Sequence, residues 1–471
     1  MPRILEANAM VMPVATRIPF RYGIAEMTHA PHVLVRVRVE TAAGAADGWA
    51  SEHLPPKWFI KDAALPFADE VSVLAGAIVS AVNTAVGLEA EHTFGLVREL
   101  DRLQTAWAAQ AAVPGLVAGL GVALVERAII DAVCRVSGRS LANALDDGTL
   151  GFTPAEIHPE LASAPAFRAH RRRRIAVRHT VGLADPLTDD QVNHDPGDGL
   201  PVSVESAIRV YGVTRFKLKT VGEVEADIAR IAELLQLCAR TRVDPRFTID
   251  GNESMRTAEQ LSGWMRGLFA SDIGDALRTR LDAVEQPMHR DVALGDDAAA
   301  ALAEVAHLAP VIIDESDDAF DTVRRAMDLG YAGGTYKGCK GVFRGLANAA
   351  LVAHRDRPDR PAVLTAEDLS TVPPLTVTQD LAVASAMGLD HIERNGHHYF
   401  ACFAPLDPTI ADRTVAAHPD LFGTTTGSPR LRIVGGVLEL GSLVDAPFGL
   451  APEPRPDALP ALTPQSAARL A

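Results

Sequence analysis

The sequence predicts an α/β protein whose centre is a barrel of eight parallel strands, each followed by a helix. Short apolar runs alternate with helical patterns from residue 175 to residue 393. Seven of these runs end on an ionisable residue, and successive ends are between 23 residues (314 to 337) and 35 residues (250 to 285) apart. Alternating strands and helices with this period indicate a parallel sheet, and eight units suggest that the sheet closes into a TIM barrel.

The predicted barrel strands are short. The first is the run IAVRHT at Ile175–Thr180, and the next seven end, in chain order, at Lys219, Asp250, Glu285, Asp314, Lys337, Glu367 and Glu393. An open doubly wound sheet is the rival fold, but it does not explain seven consecutive ionisable ends, which in a barrel meet at one mouth. No glycine-rich phosphate loop follows an early strand, so a dinucleotide-binding fold is not supported.

The segments on either side of the barrel predict a second, smaller domain. Residues 1–112 begin with strands, among them the alternating run HVLVRVRV at His32–Val39, and continue with helical patterns, which indicates an N-terminal α+β domain. The barrel is predicted over 113–430. Residues 431–450 contain a hairpin that turns at Gly435–Gly436 and would pair with the N-terminal sheet. The proline-rich tail, 451–471, is expected to be extended or disordered.

Composition excludes several classes of partner. The chain has 471 residues and a formal net charge of −15, which argues against a surface for nucleic acid or for an anionic membrane. The single basic run, Arg171–Arg174, is interpreted as a solvated turn before a strand. The four cysteines form no CxxC pair, and the N-terminus does not resemble a signal peptide. We therefore expect a cytoplasmic protein that binds neither nucleic acid nor a membrane, and the sequence is compatible with a homo-oligomer.

Three consecutive strand ends carry carboxylates and predict a metal site. Asp250, Glu285 and Asp314 would gather at the mouth, where like charges so close need a positive partner. Hard oxygen ligands of this kind suit Mg²⁺, which keeps its other positions for water or substrate. The alternative is that each acid caps the helix after its strand. Three acids in succession favour a single Mg²⁺.

Two lysines are predicted to flank this metal. Lys219 ends the second strand and Lys337 ends the sixth, and in a barrel of eight these strands lie across the mouth from each other. A divalent cation and a second lysine, Lys217 or Lys340, favour the neutral form of a lysine, which can then act as a base near neutral pH. A carboxylate substrate on the metal would lose its α-proton readily, because the enediolate charge is stabilised. Alternatively, Lys217 and Lys340 only pair with the acids.

Five short motifs, in chain order, resemble one family. They are KLK at 217–219, DGNE at 250–253, EQP at 285–287, DES at 314–316 and KGCK at 337–340. Together they resemble the enolase superfamily, specifically its muconate-lactonizing-enzyme-like subgroup, and the resemblance covers nearly the whole chain. It implies a modified TIM barrel under an N-terminal α+β capping domain that the C-terminal hairpin completes.

The resemblance also implies residue roles. Mg²⁺ would bind Asp250, Glu285 and Asp314, Lys219 and Lys337 match the acid/base lysines, and Asn252 matches the polar position after the first metal ligand. Members of this superfamily abstract a proton α to a carboxylate and then racemise, epimerise, cycloisomerise or eliminate. The segment AVLTAEDLS at 362–370 lacks the histidine that a mandelate-racemase-like or sugar-acid dehydratase member would use.

Substrate contacts are predicted from two regions. In the cap, PFRYGIAEMTH (Pro19–His29) and HLPPKWFIKD (His53–Asp62) should cover the mouth, which makes Lys57 and Trp58 candidates. At the barrel, Glu367, Asp368, His397 and His398 could hold a polar or cationic part of the substrate. Alternatively, the aromatic residues only pack the domain interface, and the histidines are loop residues with satisfied hydrogen bonds.

These observations favour an Mg²⁺-dependent racemase or epimerase of a carboxylate substrate. A lyase of the dehydratase or cycloisomerase type on the same site is the alternative enzyme. An inactive barrel that serves as a binding protein is the third hypothesis, and the presence of both lysines and all three acids argues against it.

Overall fold

The structure is a computed structural model of the chain. It describes residues 1–401, 403, 406, 408–425, 428–454 and 459–471. Cys402 lies outside the described residues, and the other three cysteines, Cys134, Cys238 and Cys339, are free and buried.

The N-terminal domain is a three-stranded antiparallel sheet covered by helices. Its elements are β1 (Arg3–Tyr22), β2 (Ala25–Thr41), β3 (Gly44–His53), α1 (Phe67–Ala85), α2 (Thr93–Ala111) and α3 (Gly115–Ser137). The apolar residues that alternate along β2 are buried between the sheet and the helices, as the sequence predicts. Helix α3 ends at Gly138, whose φ of 63° gives the left-handed C-cap that glycine favours.

The central domain is a closed barrel of eight parallel strands. Strands β4 to β11 are hydrogen-bonded in chain order, and β11 pairs with β4 to close the barrel. The elements of this domain are α4 (Leu141–Asp146), β4 (Arg174–Val181), α5 (Val204–Tyr211), β5 (Arg215–Lys219), α6 (Val224–Thr241), β6 (Arg246–Asp250), α7 (Ala258–Ala270), α8 (Gly274–Arg280), β7 (Leu281–Glu285), α9 (Asp296–Val305), β8 (Val311–Ile313), α10 (Thr322–Leu329), β9 (Gly333–Lys337), α11 (Val342–Arg355), β10 (Val363–Glu367), α12 (Leu375–Met387), β11 (His391–Arg394) and α13 (Gly396–Tyr399). The predicted fold class is confirmed.

The register of the barrel brings the ionisable strand ends level with one another. Lys219 pairs with Asp250, Asp250 pairs with Glu285, and further round the barrel Lys337 and Glu393 both pair with Glu367. Side chains alternate along a strand, so the residues between these positions, such as those of β5 at 216 and 218, pack into the apolar layer under the helices. Charged side chains therefore lie together at the mouth, and apolar side chains lie between the barrel wall and the helices.

The C-terminal segment departs from the prediction. Its elements are α14 (Pro408–Ala417), β12 (Phe422–Thr425), β13 (Ser428–Leu431), β14 (Val437–Glu439), α15 (Gly441–Asp445) and α16 (Pro464–Ala468). The hairpin does turn at Gly435–Gly436, but β14 pairs antiparallel with the start of β4 in the barrel and not with the N-terminal sheet. Leu438 is fully buried there, so apolar packing against the barrel decides where the hairpin lies.

The tail, predicted to be extended or disordered, instead completes the N-terminal domain. The backbone N–H of Val11 donates to Pro460, Leu462 donates to Ala9, and α16 packs against α1. These bonds occupy the outer edge of β1, so the tail pairs with the N-terminal sheet, where the sequence predicts the hairpin. The residues 455–458 of the tail lie outside the described part. The boundary at residue 112 stays a prediction, because α3 contacts both the cap sheet and the turn after β9.

Helix α1 is the most apolar of the long helices of the cap by mean hydropathy. Within the described residues, α1 alone is long and apolar enough to span a membrane, by length and composition only. It packs against α3 and α2 in the cap, as a core helix does. The predicted absence of a membrane partner and the cytoplasmic location stay predictions.

Two glycines allow the packing of the cap to be tested. A Cβ atom at Gly48 in β3 would lie 2.0 Å from the carbonyl oxygen of Ala128 in α3, whereas a Cβ at Gly76 in α1 meets nothing within 4 Å. Gly48→Ala should therefore lower the free energy of unfolding by ~1–3 kcal/mol or more through overpacking. Gly76→Ala, the matched control, should raise it by about 1 kcal/mol because alanine favours the helix. Urea unfolding measures both, and similar shifts in the two variants would contradict this packing.

Candidate active site

The mouth of the barrel holds a buried network of acids and lysines. The Lys217 ammonium group is at its centre, at 2.6 Å from Glu367, 2.8 Å from Glu285, 3.0 Å from Asp250 and 3.2 Å from Glu393. All five side chains are at most 2% exposed. Carboxylates this close are stable together only because a cation lies among them. The network is thus held by complementary charge.

The two predicted acid/base lysines are both at this mouth. Lys219 Nζ donates to Asp250 Oδ2 at 2.5 Å. Lys337 Nζ donates to Glu367 Oε2 at 2.7 Å and also to Asp314 Oδ2. Lys340 holds Asp314 from the other side, with 2.7 Å to its Oδ1 and 2.7 Å to its backbone oxygen. The structure therefore brings together both lysines and the acids predicted to lie between them.

The electrostatic environment shifts the pKa values of these groups in opposite directions. Burial alone would lower the pKa of Lys337, but the carboxylates of Asp314 and Glu367 outweigh it and raise that pKa well above its usual value. The sequence instead predicts a lowered pKa for Lys337, because it predicts a divalent cation among the acids. Burial raises the pKa of Glu285 well above its usual range. For Asp250, the ammonium groups of Lys217 and Lys219 overcome the effect of burial and lower the pKa.

The carboxylates can hold a metal ion. One oxygen each from Glu285, Asp314 and Glu367 lies within 4.8 Å of the others, and all three side chains are buried. Glu285 Oε2 has no hydrogen-bond partner in the part of the chain that the structure describes, as expected of an oxygen that would bind a cation. The predicted set differs by one member, because it has Asp250 in place of Glu367. Asn252 donates its backbone N–H to Asp250 Oδ1 at 2.8 Å and so orients that carboxylate.

A lid from the N-terminal domain covers the mouth. It encloses a small cavity of about 30 Å³. The cap contributes Phe20, Tyr22, Pro55 and Trp58, and the barrel contributes Lys217, Lys219, Lys337, Asp368, Leu369, Ser370, Glu393 and Asn395. Lys337 Nζ lies 5.2 Å from the centre of the Trp58 ring, within the range of a cation–π contact. Trp58 and Asp368, two of the predicted substrate contacts, both line this cavity.

Three predicted substrate contacts are placed elsewhere. Lys57 binds the carboxylate of Glu70 on α1 through its backbone N–H and its ammonium group. His397 contacts His179 at 3.2 Å behind the barrel wall, and His398 packs between His179 and Tyr399. Burial lowers the pKa of both histidines well below the usual value, as for side chains in an apolar layer. These positions follow from packing with residues distant in sequence.

Arg178 is a member of the network that the sequence reasoning missed. It lies on β4, is fully buried, and donates to Glu367 Oε1 at 2.8 Å. Thr180, two residues later, donates to Glu393. The signal was present in the run IAVRHT, because two polar side chains at spacing two on a buried barrel strand must face the interior.

The similarity of this chain to known proteins is structural. No protein-family model matches the chain, and no curated protein is similar to it. Solved structures do resemble it. An enolase from Bradyrhizobium, complexed with magnesium and mandelic acid, is 15% identical with a TM-score of 0.59 over 96% of each chain. A mandelate racemase/muconate lactonizing protein from Herpetosiphon aurantiacus is 18% identical with a TM-score of 0.57, over 93% of this chain and 99% of that one.

A third structure gives the same result. A dipeptide epimerase from Enterococcus faecalis, complexed with Mg and the dipeptide L-Leu-L-Tyr, is 14% identical with a TM-score of 0.59 over 93% of this chain and 99% of that one. The chain has the fold of the enolase superfamily. The resemblance that the five motifs predict is therefore confirmed at the level of the fold, a TIM barrel under an N-terminal cap.

The metal site predicts a measurable loss of Mg²⁺ binding. Glu285→Gln should weaken Mg²⁺ at least about tenfold in calorimetry, because it removes a charged oxygen ligand common to both candidate sets. Asp250→Asn and Glu367→Gln then identify the third ligand. We expect the larger loss in Asp250→Asn, since Glu367 is paired with three cations, Arg178, Lys217 and Lys337, whereas Asp250 is paired with two, Lys217 and Lys219. Glu160→Gln, at a distant pair with Arg355, is the control. Unchanged affinity in Glu285→Gln would rule out this site.

Proposed function

We propose that this protein is an Mg²⁺-dependent enzyme that removes the proton α to a substrate carboxylate, with Lys219 and Lys337 as its acid/base pair. The observation that carries the proposal is the pair itself. Two buried lysines end β5 and β9, each hydrogen-bonded to a carboxylate, and both line one cavity beneath the cap. Racemisation or epimerisation is the reaction we favour, because that reaction needs a proton-transfer group on each side of a carbon.

The metal would be held by Asp250, Glu285 and Asp314. The donor set is buried and consists of carboxylate oxygens, which suits Mg²⁺. When bound, the ion would supply positive charge beside the substrate carboxylate, which would stabilise the extra negative charge left when the α-proton is removed and so make that proton more acidic. Asn252 keeps the Asp250 carboxylate oriented, and Lys340 does the same for Asp314.

The lysines carry the proton transfers. The lysine that is neutral accepts the α-proton at its Nζ, and the other, as an ammonium group, returns a proton to the opposite face. Asp250 fixes the direction of Lys219, and Glu367 together with the Trp58 ring fixes that of Lys337. Since the cap closes over these groups, their charges act in a water-poor cavity, where electrostatic effects are strong.

The rest of the cavity suggests the substrate class. Besides the lysines, it is lined by the carboxylates of Glu393 and Asp368 and by the amide of Asn395, against the aromatic rings of Phe20 and Tyr22. This lining suits a small carboxylate that also carries an ammonium, amide or hydroxyl group. The dipeptide in the Enterococcus faecalis epimerase and the mandelic acid in the Bradyrhizobium enolase are both of this kind, which supports screening dipeptides, N-acyl amino acids and hydroxy acids.

A lyase is the second candidate, and Glu393 is the reason to keep it. Its carboxylate lines the cavity, and burial with the nearby charge of Glu367 raises its pKa to about 7. A carboxyl group that is protonated near neutral pH can donate to a leaving group, as elimination requires. The mass of the product distinguishes the two reactions, because loss of water changes it.

Solvent-deuterium exchange at the α-carbon tests the lysine pair. Lys219→Ala and Lys337→Ala should each stop inversion, with turnover lowered by at least about 10²-fold. Each variant should still exchange the proton on the face that the remaining lysine serves, so the two should show opposite stereochemical preferences in NMR.

Arginine variants distinguish a lysine that transfers a proton from a lysine that serves only as a cation. Lys219→Arg and Lys337→Arg keep the cation, but arginine does not deprotonate in proteins, so both should be as inactive as the alanine variants. If one arginine variant keeps its activity, that lysine serves only as a cation, and an elimination becomes the better assignment. Wild-type protein that binds the acids without any exchange would indicate a binding protein.

A further inference from the structure

One contact between the cap and the barrel has no place in the proposed chemistry. Arg290, in the loop after β7, donates to the backbone oxygens of Trp58 at 2.8 Å and Phe59 at 2.9 Å. The same guanidinium group donates to both carboxylate oxygens of Glu253, at 2.8 and 2.9 Å. A single side chain thus joins the cap segment that carries Trp58 to the loop after β6. We call the pair Glu253 and Arg290 the clasp.

A lysine of the cap strengthens the same contact. The Lys61 ammonium group lies 3.3 Å from Glu253 Oε2 and donates to the backbone oxygen of Asn252. Glu253 is 4% exposed, so its charge depends on these cations. Bidentate pairs of arginine and carboxylate fix orientation as well as distance. The clasp is therefore suited to hold two segments in one relative position.

Backbone conformation marks the same place. Of the described non-glycine residues, seven have positive φ. One of them, Glu253 (63°), belongs to the clasp, and three lie next to it: Lys57 (59°), Asn252 (42°) and Gln286 (33°). Gln286 accepts the backbone N–H of Glu253 at 2.8 Å. Residues held in this region of φ are strained, and they persist only where the surroundings fix them, commonly at functional sites.

The two segments that the clasp joins lead to the two lysines. On the cap side, Trp58 lies over the Lys337 ammonium group. On the barrel side, Asn252 holds Asp250, which in turn holds Lys219. We propose that Glu253 and Arg290 are positioning residues that set the geometry of both acid/base lysines by fixing the cap segment to the loop after β6. The catalytic part of this inference rests on the proposed function.

The geometry can be tested without any substrate. The chain has four tryptophans, and 5-fluorotryptophan gives each a ¹⁹F signal, with Trp58 assigned by Trp58→Phe. Arg290→Gln should shift or broaden the Trp58 signal and leave that of Trp264 unchanged. Glu253→Gln keeps the shape of the side chain and removes its charge, and it should have the same effect. Arg355→Gln is the matched control, since Arg355 forms a bidentate pair with Glu160 at 2.7 and 2.8 Å far from the mouth.

Activity supplies the second readout. Arg290→Gln should slow deuterium wash-in on both faces of the substrate by about 10²-fold, as a displacement of about 1 Å can. Trp58→Ala should affect mainly the face served by Lys337, and Arg290→Lys, which keeps the charge without the fork, should recover only part of the rate. Arg355→Gln should keep the full rate at a similar melting temperature.

The outcomes distinguish the clasp from the proposed function. A Trp58 signal that is unchanged in both Arg290→Gln and Glu253→Gln overturns the clasp, whatever happens to the rate. If Arg290→Gln fails to fold, the Glu253→Gln spectrum decides. If the wild-type protein exchanges no α-proton in any acid while the Trp58 signal moves as expected, the geometry of the clasp stands and only the proposed function falls.

Discussion

The burial of Lys217 among four carboxylates is the interaction on which the rest of the molecule depends. Each of these charges would be strongly unfavourable alone in the interior, and removing one partner of a buried pair commonly costs about 3–5 kcal/mol. The barrel tolerates them because its register places acids and lysines on adjacent strands at the same height. A parallel barrel provides this alignment for any residues at its strand ends, so the chemistry of the mouth is decided by eight short stretches of sequence.

The same compensation of charge reaches from the barrel into the cap. Arg127 on α3 binds Glu52 of β3 at 3.0 Å and Gln379 of α12, and Arg394 at the end of β11 binds Asp368 in the cavity wall at 3.0 Å. Of these contacts, the bond from Arg127 to Gln379 crosses from the cap to the barrel, so a shift of the cap would take a partner away from a buried guanidinium group. At the base of the cap, Glu126 on α3 also accepts the backbone N–H groups of Val342 and Phe343 in the barrel. Buried polar contacts therefore join the base of the cap to the barrel, in addition to the contacts of Arg290 nearer the mouth.

The sequence predicts the fold, and it predicts which residues end the barrel strands and so meet at the candidate site, because both depend on local patterns. Strand ends at Lys219, Asp250, Glu285 and Lys337 agree with the structure to the residue. The features that the sequence does not predict depend on contacts between residues that are distant in the chain. Lys57 turns away from the mouth because it binds Glu70 on α1. The hairpin lies on the barrel because β14 pairs with the first residues of β4. The tail is ordered because it pairs with the outer edge of β1. The third acid near Glu285 and Asp314 is Glu367, whereas the sequence predicts Asp250. Side-chain rotamers decide which of the two lies closer, and the spacing of motifs does not predict rotamers.

One further pattern in the sequence points to the mouth without any alignment of strands. The chain has six lysines, Lys57, Lys61, Lys217, Lys219, Lys337 and Lys340, among its 45 lysine and arginine residues. All of them belong to the cap segment at 53–62 or to the ends of β5 and β9, and arginine carries the positive charge elsewhere. Arginine stays charged in proteins, whereas a lysine can lose its proton when burial or neighbouring charge favours it. Four of the six lysines, Lys217, Lys219, Lys337 and Lys340, thus lie at or next to the mouth and supply there a strongly basic side chain that can transfer a proton, which is the property that the proposed α-proton abstraction requires.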